Sequence, residues 1–200
     1  MAFSFLRVFL LGITLACLSH WFGRAIIQSM LPLYQWTITQ FDSQIEIISL
    51  AIVQQHGQQF LQLNTILTQP FFIGMHYFVP QIAIPSSSRI PLDFVLQPLV
   101  IFLTLAIGWP ASAYRDSLFR LAIGAPLILI LMLLDAPLQF NYMLWDSVEG
   151  LVQTMGKVEG YLRPWSDFLN GGGLIMLSLT ISIMSIGLSK LLTEKNIKAN

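Results

Sequence analysis

The residues of this chain that are able to do chemistry are few and widely spaced. Asp135 is the sole charged side chain in residues 121–145, and an acid inside an apolar run is by default a functional group, a relay or a binding residue. Counted from Leu118, however, it falls in the last turn of a membrane span, just before Ala136 and Pro137. That position favours a helix end solvated by water and headgroups, or paired with Arg24 or Arg89, over a buried relay. The densest charged patch among the apolar runs is Arg115, Asp116 and Arg120. Its arginines are expected to face the cytoplasm as topology anchors in contact with lipid headgroups, ahead of any catalytic use. Cys17 lies in the middle of an apolar run with His20 three residues on. A thiol in that setting packs as a small apolar side chain and lacks the water and base a nucleophile needs. His20, His56 and His76 have no ligand-like spacing, so no metal or cofactor is expected, and a single cysteine excludes an internal disulfide.

The elements that hold these residues are set by hydropathy. Residues 8–22, 94–114 and 168–189 contain no charged side chain, 55% of the chain is hydrophobic and only 10% is charged, against roughly 25% in soluble domains. A helix needs about 20 apolar residues to cross a hydrocarbon core of about 30 Å, and lipid accepts only spans whose backbone groups bond internally. The expected fold is therefore an α-helical integral membrane protein with four transmembrane helices and a small β-rich extracytoplasmic insert. Residues 1–32 form the first helix, 33–93 the insert, 94–145 a transmembrane hairpin, 146–170 an extracytoplasmic amphipathic segment, and 171–200 the fourth helix with a cytoplasmic tail. Within the hairpin the spans cover residues 96–113 and 118–138, and the fourth helix is entered through Asn170 and the flexible Gly171, Gly172 and Gly173. Arg7 followed by an apolar stretch ending in Leu15, Ala16 and Cys17 also resembles an export signal. The run continues past Cys17, and Thr14 stands where a lipoprotein signal has Leu, so the first span is expected to be retained.

Arg7, Arg115, Arg120, Lys190, Lys195 and Lys198 fall on one side of these spans and Arg24, Arg89, Lys157 and Arg163 on the other. The positive-inside rule then places both ends in the cytoplasm. In the insert, residues 44–53 are rich in β-branched side chains, residues 55–58 have turn character, and residues 60–67 repeat the strand pattern. A hairpin is expected there, with an interfacial helix using Ile45, Ile48 and Ile52 as the alternative. Residues 71–84 would add a strand before Pro85, Ser86, Ser87 and Ser88 break it. In the outer segment Val148, Leu151, Val152, Met155, Val158 and Leu162 have near-helical spacing and suit a helix lying on the membrane surface, weakened by Gly150, Gly156 and Gly160.

One N-terminal span, a β-rich insert, the segment Pro-Leu-Val-Ile-Phe-Leu-Thr-Leu-Ala-Ile-Gly-Trp-Pro at residues 98–110, an Arg-containing turn and Leu-Asp-Ala-Pro-Leu-Gln-Phe at residues 134–140 together resemble exosortase-associated bacterial inner-membrane proteins, in particular the exosortase H-associated type. The resemblance implies an accessory role beside a membrane transpeptidase that processes C-terminally tagged exported proteins. It does not imply the transpeptidase itself, because exosortases resemble cysteine enzymes working at the outer membrane face, and Cys17 is not placed there. The expected function is thus a non-enzymatic inner-membrane scaffold. Its partners are membrane lipids and a membrane or periplasmic protein bound through Ile48, Leu50 and Ile52. The alternative is a membrane enzyme or lipid-binding factor using Asp135 or the patch of Arg115, Asp116 and Arg120. Zero net charge and the absence of a Lys/Arg run argue against nucleic acid as a partner.

Overall fold

Helical period persists in this chain well beyond the apolar runs, and it sets the length of the main elements. The structure, a computed structural model, describes residues 2–41, 45–67, 71–73, 76–78, 84–111, 114–151 and 162–199. Helix α1 covers Ala2–Phe41 and is followed by strands β1 (Ile45–Gln55), β2 (Gln58–Leu67), β3 (Phe71–Ile73), β4 (His76–Phe78) and β5 (Ile84–Pro91). Helices α2 (Leu92–Gly108), α3 (Tyr114–Leu151), α4 (Leu162–Phe168) and α5 (Leu174–Ala199) complete the chain. Three helical stretches, Phe5–Phe41, Tyr114–Ser147 and Arg163–Leu192, are long and apolar enough to cross a membrane, and the apolar α2 is shorter. The protein is therefore a membrane protein by helix length and composition, with a small three-stranded sheet.

The first helix does not stop near residue 32, and residues 33–41 belong to it rather than to the insert. Hydropathy falls there, but Ile27, Met30, Tyr34, Thr37 and Ile38 recur at three- and four-residue intervals and bury one continuous face. Pro32 lies inside α1, a position tolerated where neighbouring elements satisfy the freed carbonyl. Likewise α3 begins at Tyr114, four residues earlier than expected, and runs through Pro137 to Leu151. Residues 146–151 of the anticipated surface segment are thus the end of α3. Val152, Met155, Gly156, Val158 and Gly160 lie outside the described residues, and α4 forms the remainder.

The chain divides into two units. The first comprises Met1–Gly23, Leu96–Met132 and Asn170–Asn200. Small residues let its helices approach closely. A Cβ at Gly108 would meet the Val8 backbone at 3.2 Å, and one at Gly12 would meet Thr104 at 3.3 Å. A Cβ at Gly124 would collide with the Phe102 ring and lie 2.6 Å from Ser185 Oγ. On α5, Ser178, Ser182, Ser185 and Ser189 are fully buried. Each hydroxyl donates to a carbonyl of its own helix, those of Leu174, Ser178, Ile181 and Ile186, at 2.7–2.9 Å. Helices in lipid pack through such small side chains because no hydrophobic driving force separates helix from lipid tail. The chain enters α5 through a π turn at Leu169–Gly173, where Gly172 has φ 107°. A side chain would strain that backbone, so glycine is required for the kink.

The second unit comprises Arg24–Val95 and Leu133–Leu169. Its sheet has the order β1-β2-β5, all antiparallel, and β3 pairs with β4 in a separate two-stranded ribbon. The β1-β2 hairpin forms as expected, and the interfacial-helix alternative does not. His56 and Gly57 both have positive φ, 51° and 81°, which defines the type I′ turn whose twist matches two antiparallel strands. Residues 71–84 do not form one strand: they supply β3, β4 and the first residue of β5. Nor do Pro85 and the three serines break the sheet, since they run inside β5. The reason lies in register. Counting outward from the Gln55↔Gln58 pair that closes the turn, even-numbered β2 residues bond β1 and odd-numbered ones bond β5. Leu61, Leu63 and Thr65 therefore bond Ile90, Ser88 and Ser86, and Pro85 and Pro91 occupy positions whose missing N–H would point off the sheet.

Gly124→Val places two methyl groups against Phe102 and Ser185, so thermal unfolding in detergent should show a loss of about 1–3 kcal/mol. An unchanged unfolding temperature would mean that α2, α3 and α5 do not pack this closely.

Candidate functional site

Polar side chains buried in apolar surroundings are where a membrane protein concentrates function, and among the described residues each unit buries an acid of α3, Asp135 in one and Asp116 in the other. In the second unit Asp135 lies mid-helix on the buried stripe of α3 formed by Asp135, Ala136, Gln139 and Phe140, and it is 3% exposed. It is neither solvated nor paired with Arg24 or Arg89. Its Oδ1 accepts a hydrogen bond from Gln139 Nε2 at 3.0 Å, one turn on, and Arg89 instead donates to Gln55 Oε1. The helix-end expectation fails because α3 continues for four more turns beyond Asp135. Tyr34 of α1 faces this carboxylate within electrostatic reach. Its side chain is fully buried and its hydroxyl has no hydrogen-bond partner, as is also true of Asn141 Oδ1.

In the first unit Arg120 is fully buried and Asp116 is 2% exposed, so neither is a headgroup anchor. Arg120 Nη1 and Nη2 donate to the carbonyls of Trp109 and Pro110 at 2.9 and 3.0 Å, and Nε lies 3.4 Å from Ser189 Oγ. Asp116, one turn earlier on α3, is the acid that stabilises its charge. The guanidinium thus satisfies carbonyls just beyond the C-terminus of α2, groups that a helix end leaves without internal partners. Its fork of five donors suits that task, and Lys would not replace it. Arg115 is exposed.

The three proposed partner-binding residues do not share a face. Strand alternation alone puts Ile48, Leu50 and Ile52 on one side, but the register slips between Ile47 and Ser49, leaving Ile48 as the extra residue of a β-bulge. Ile48 is 56% exposed, whereas Leu50 and Ile52 lie opposite the buried Leu63 and Leu61 and are half-buried on the core face. The other face of the sheet carries a polar ladder that sequence reading did not resolve. Asn64 Nδ2 donates to Ser49 Oγ, and Gln62 Nε2 reaches both Asn64 Oδ1 and Ser87 Oγ, all at 2.9–3.0 Å. Its signal in the sequence was slight, Gln62 and Asn64 two residues apart with Ser49 and Ser87 distant from them, and it is legible only once the strands are in register.

Cys17 and His20 are exposed on α1, His56 is exposed in the β-turn, and His76 lies in β4. Among the described residues no group of three His, Cys, Asp or Glu side chains is placed to hold a metal ion. No protein-family model, curated protein or solved structure matches this chain.

Asp135→Ala leaves the buried Gln139 amide without its acceptor and should cost about 1–3 kcal/mol, whereas Asp135→Asn, which keeps an acceptor oxygen, should cost less than half of that. Tyr34→Phe removes a hydroxyl that bonds nothing and should leave unfolding unchanged or raise it slightly. Arg120→Met removes the donor to the Trp109 and Pro110 carbonyls and the cation beside buried Asp116, and should cost about 3–5 kcal/mol. Thermal unfolding of the four variants in one detergent checks the order. A ranking in which Tyr34→Phe is the most damaging would contradict these assignments.

Proposed function

We propose that this chain is a non-enzymatic accessory protein of a bacterial inner membrane that crosses the bilayer four times, keeps both ends in the cytoplasm, and offers its extracytoplasmic sheet to a partner protein. The resemblance to exosortase-associated proteins makes a membrane transpeptidase acting on exported proteins the expected partner. The fourth span is α2. Its 17 residues reach about 25 Å at 1.5 Å per residue, roughly one turn short of the hydrocarbon core, a deficit that local thinning of the bilayer absorbs. An even number of spans agrees with the distribution of Lys and Arg along the sequence.

The observation that carries the reading is how the buried polar groups are used. Arg120 is committed to helix-end carbonyls, Asp135 to Gln139, and the α5 serines to their own backbone. The Asp135 and serine bonds stay within one helix and the Arg120 bonds reach the residues that follow α2, which supports a structural use of the nominated residues. The sheet, in contrast, presents an ordered polar face beside an exposed Ile48. A polar surface around one apolar anchor on a rigid element is a common form of protein-binding site.

Two measurements test this. A reporter fused after Lys195 should be active on the cytoplasmic side and one near His56 on the periplasmic side, and the reverse pattern would remove the topology. For the binding face, Ile48→Glu combined with Gln62→Glu should lower co-purification with the transpeptidase by roughly tenfold or more, the weight of one hot-spot side chain. Leu50→Asp should instead lower the yield of folded protein, because Leu50 lies on the core face. Retained co-purification in the double variant would remove the outer face as the contact.

A further inference from the structure

Among the described residues, every charged side chain that the first unit exposes is a cation: Arg7, Arg115 and Lys190. Its acid Asp116 is buried. Hydrogen bonds gather these cations at one end of the unit, where α2 stops. Arg7 Nη2 donates to the Ile107 carbonyl at 3.3 Å, in the last turn of α2. Arg120 links the Trp109 and Pro110 carbonyls to Ser189, the residue before Lys190, and Arg115 stands in the first turn of α3. Trp109 and Tyr114 lie at the same end, 44% and 78% exposed. Exposed Trp and Tyr beside exposed cations are the mark of the headgroup layer at the end of a membrane span, so Arg7 sits at that depth. From Arg7 a groove of about 390 Å³ runs along α1, lined by Leu6, Leu10, Leu11 and Thr14. The Thr14 hydroxyl donates to the Leu10 carbonyl at 2.9 Å, so the lining beyond Arg7 keeps no free donor. Leu6 to Thr14 covers about 12 Å of helix, leading from the headgroup level into the hydrocarbon.

We propose that this groove holds an acyl chain of an anionic phospholipid whose phosphate rests on Arg7. Each part of the ligand answers one feature of the site. The bond to Ile107 engages one nitrogen of the guanidinium and fixes it at the mouth of the groove, leaving the rest of its five donors for phosphate oxygens. Arg115 and Lys190 add positive charge at the same end, and no exposed acid among the described residues of the unit opposes them. That balance favours an anionic headgroup over a zwitterionic one. The groove itself lies in the stretch from Val8 to Phe22, which has no charged side chain, and there an alkyl chain is the species the bilayer supplies. A partner helix seated in the same groove would have to bring an acid to the level of Arg7, whereas an anionic lipid carries its charge at that level. The site differs from a general headgroup anchor in joining one placed cation to one groove, so both ends of the lipid contribute.

The test is thermal unfolding of the full chain in detergent, titrated with dioleoyl phosphatidylglycerol, with dioleoyl phosphatidylcholine, or with inorganic phosphate. Phosphatidylglycerol should raise the unfolding temperature at lower concentration than phosphatidylcholine, and inorganic phosphate alone should not raise it. Arg7→Gln should increase the phosphatidylglycerol needed for half the effect about fivefold, the weight of one cation beside an anionic headgroup, and should leave the phosphatidylcholine response as it was. Arg7→Lys, which keeps a point charge for the phosphate, should retain most of the preference. Thr14→Trp fills the groove from an exposed position and should weaken the response to both lipids. Arg24→Gln, an exposed cation of the other unit, should change neither. Equal response to the two lipids, a rise with inorganic phosphate alone, a preference that survives Arg7→Gln, or an unaltered response in Thr14→Trp overturns the proposal. If Arg7→Gln lowers the unfolding temperature without added lipid, through loss of its bond to Ile107, Thr14→Trp decides. The site does not depend on the accessory role, which is read separately by co-purification of the outer-face variant.

Discussion

A helix of 40 residues is about 60 Å long, twice the thickness of a bilayer's hydrocarbon core, and this chain has two helices of nearly that length, α1 and α3. Most of the structure follows from what the surplus turns do. Turns that leave the hydrocarbon lose the cover of lipid and need other neighbours for their apolar stripes. In α1 the stripe of Ile27, Met30, Tyr34 and Ile38, and in α3 that of Ala136, Phe140 and Leu144, are buried in a unit that also contains the sheet. The same helices belong to the other unit through Gly23 and Met132. Each helix thus contributes residues to both units as one continuous element.

Polar groups in these surroundings are either satisfied locally or costly. The four buried serines of α5 take the local solution, returning their hydroxyls to the preceding turn so that only small, neutral surfaces face the neighbouring helices. Arg120 takes a longer reach, satisfying the Trp109 and Pro110 carbonyls where α2 ends and α3 is about to begin. These bonds tie the exposed start of the connection back to the buried Arg120 of α3. Asp135 is less completely served, with one amide donor from Gln139 and a phenol nearby that bonds nothing. It is a buried carboxylate held by this one amide.

The sheet shows how register, more than composition, assigns roles to residues. A single extra residue at Ile48 moves that side chain out while Leu50 and Ile52 turn to the core. The two prolines of β5 are harmless to pairing because they fall on the alternate positions that face away from β2. The polar ladder of Ser49, Asn64, Gln62 and Ser87 ties the strands together on the face turned from the core.

Long uncharged runs were enough to identify apolar helices, because hydropathy over about 20 residues is a property of the sequence alone. The turn at residues 55–58 and its two strands were legible for a similar reason: β-branched enrichment and a glycine turn are local signals. The residues beyond Arg24 in α1 and beyond Leu138 in α3 were not, since their mean hydropathy falls while their helical period continues, and only the packing of Tyr34, Ile38, Phe140 and Leu144 shows that the period is used. The serine spacing on α5 stood in the sequence, but its meaning required Gly124 to be placed against Ser185. Whether Asp135 and Arg120 are solvated or buried, and which way Ile48 points, depends on neighbours distant in sequence. Those facts were decided by tertiary structure, because burial and strand register are properties of the contacts a residue makes and not of the residue itself.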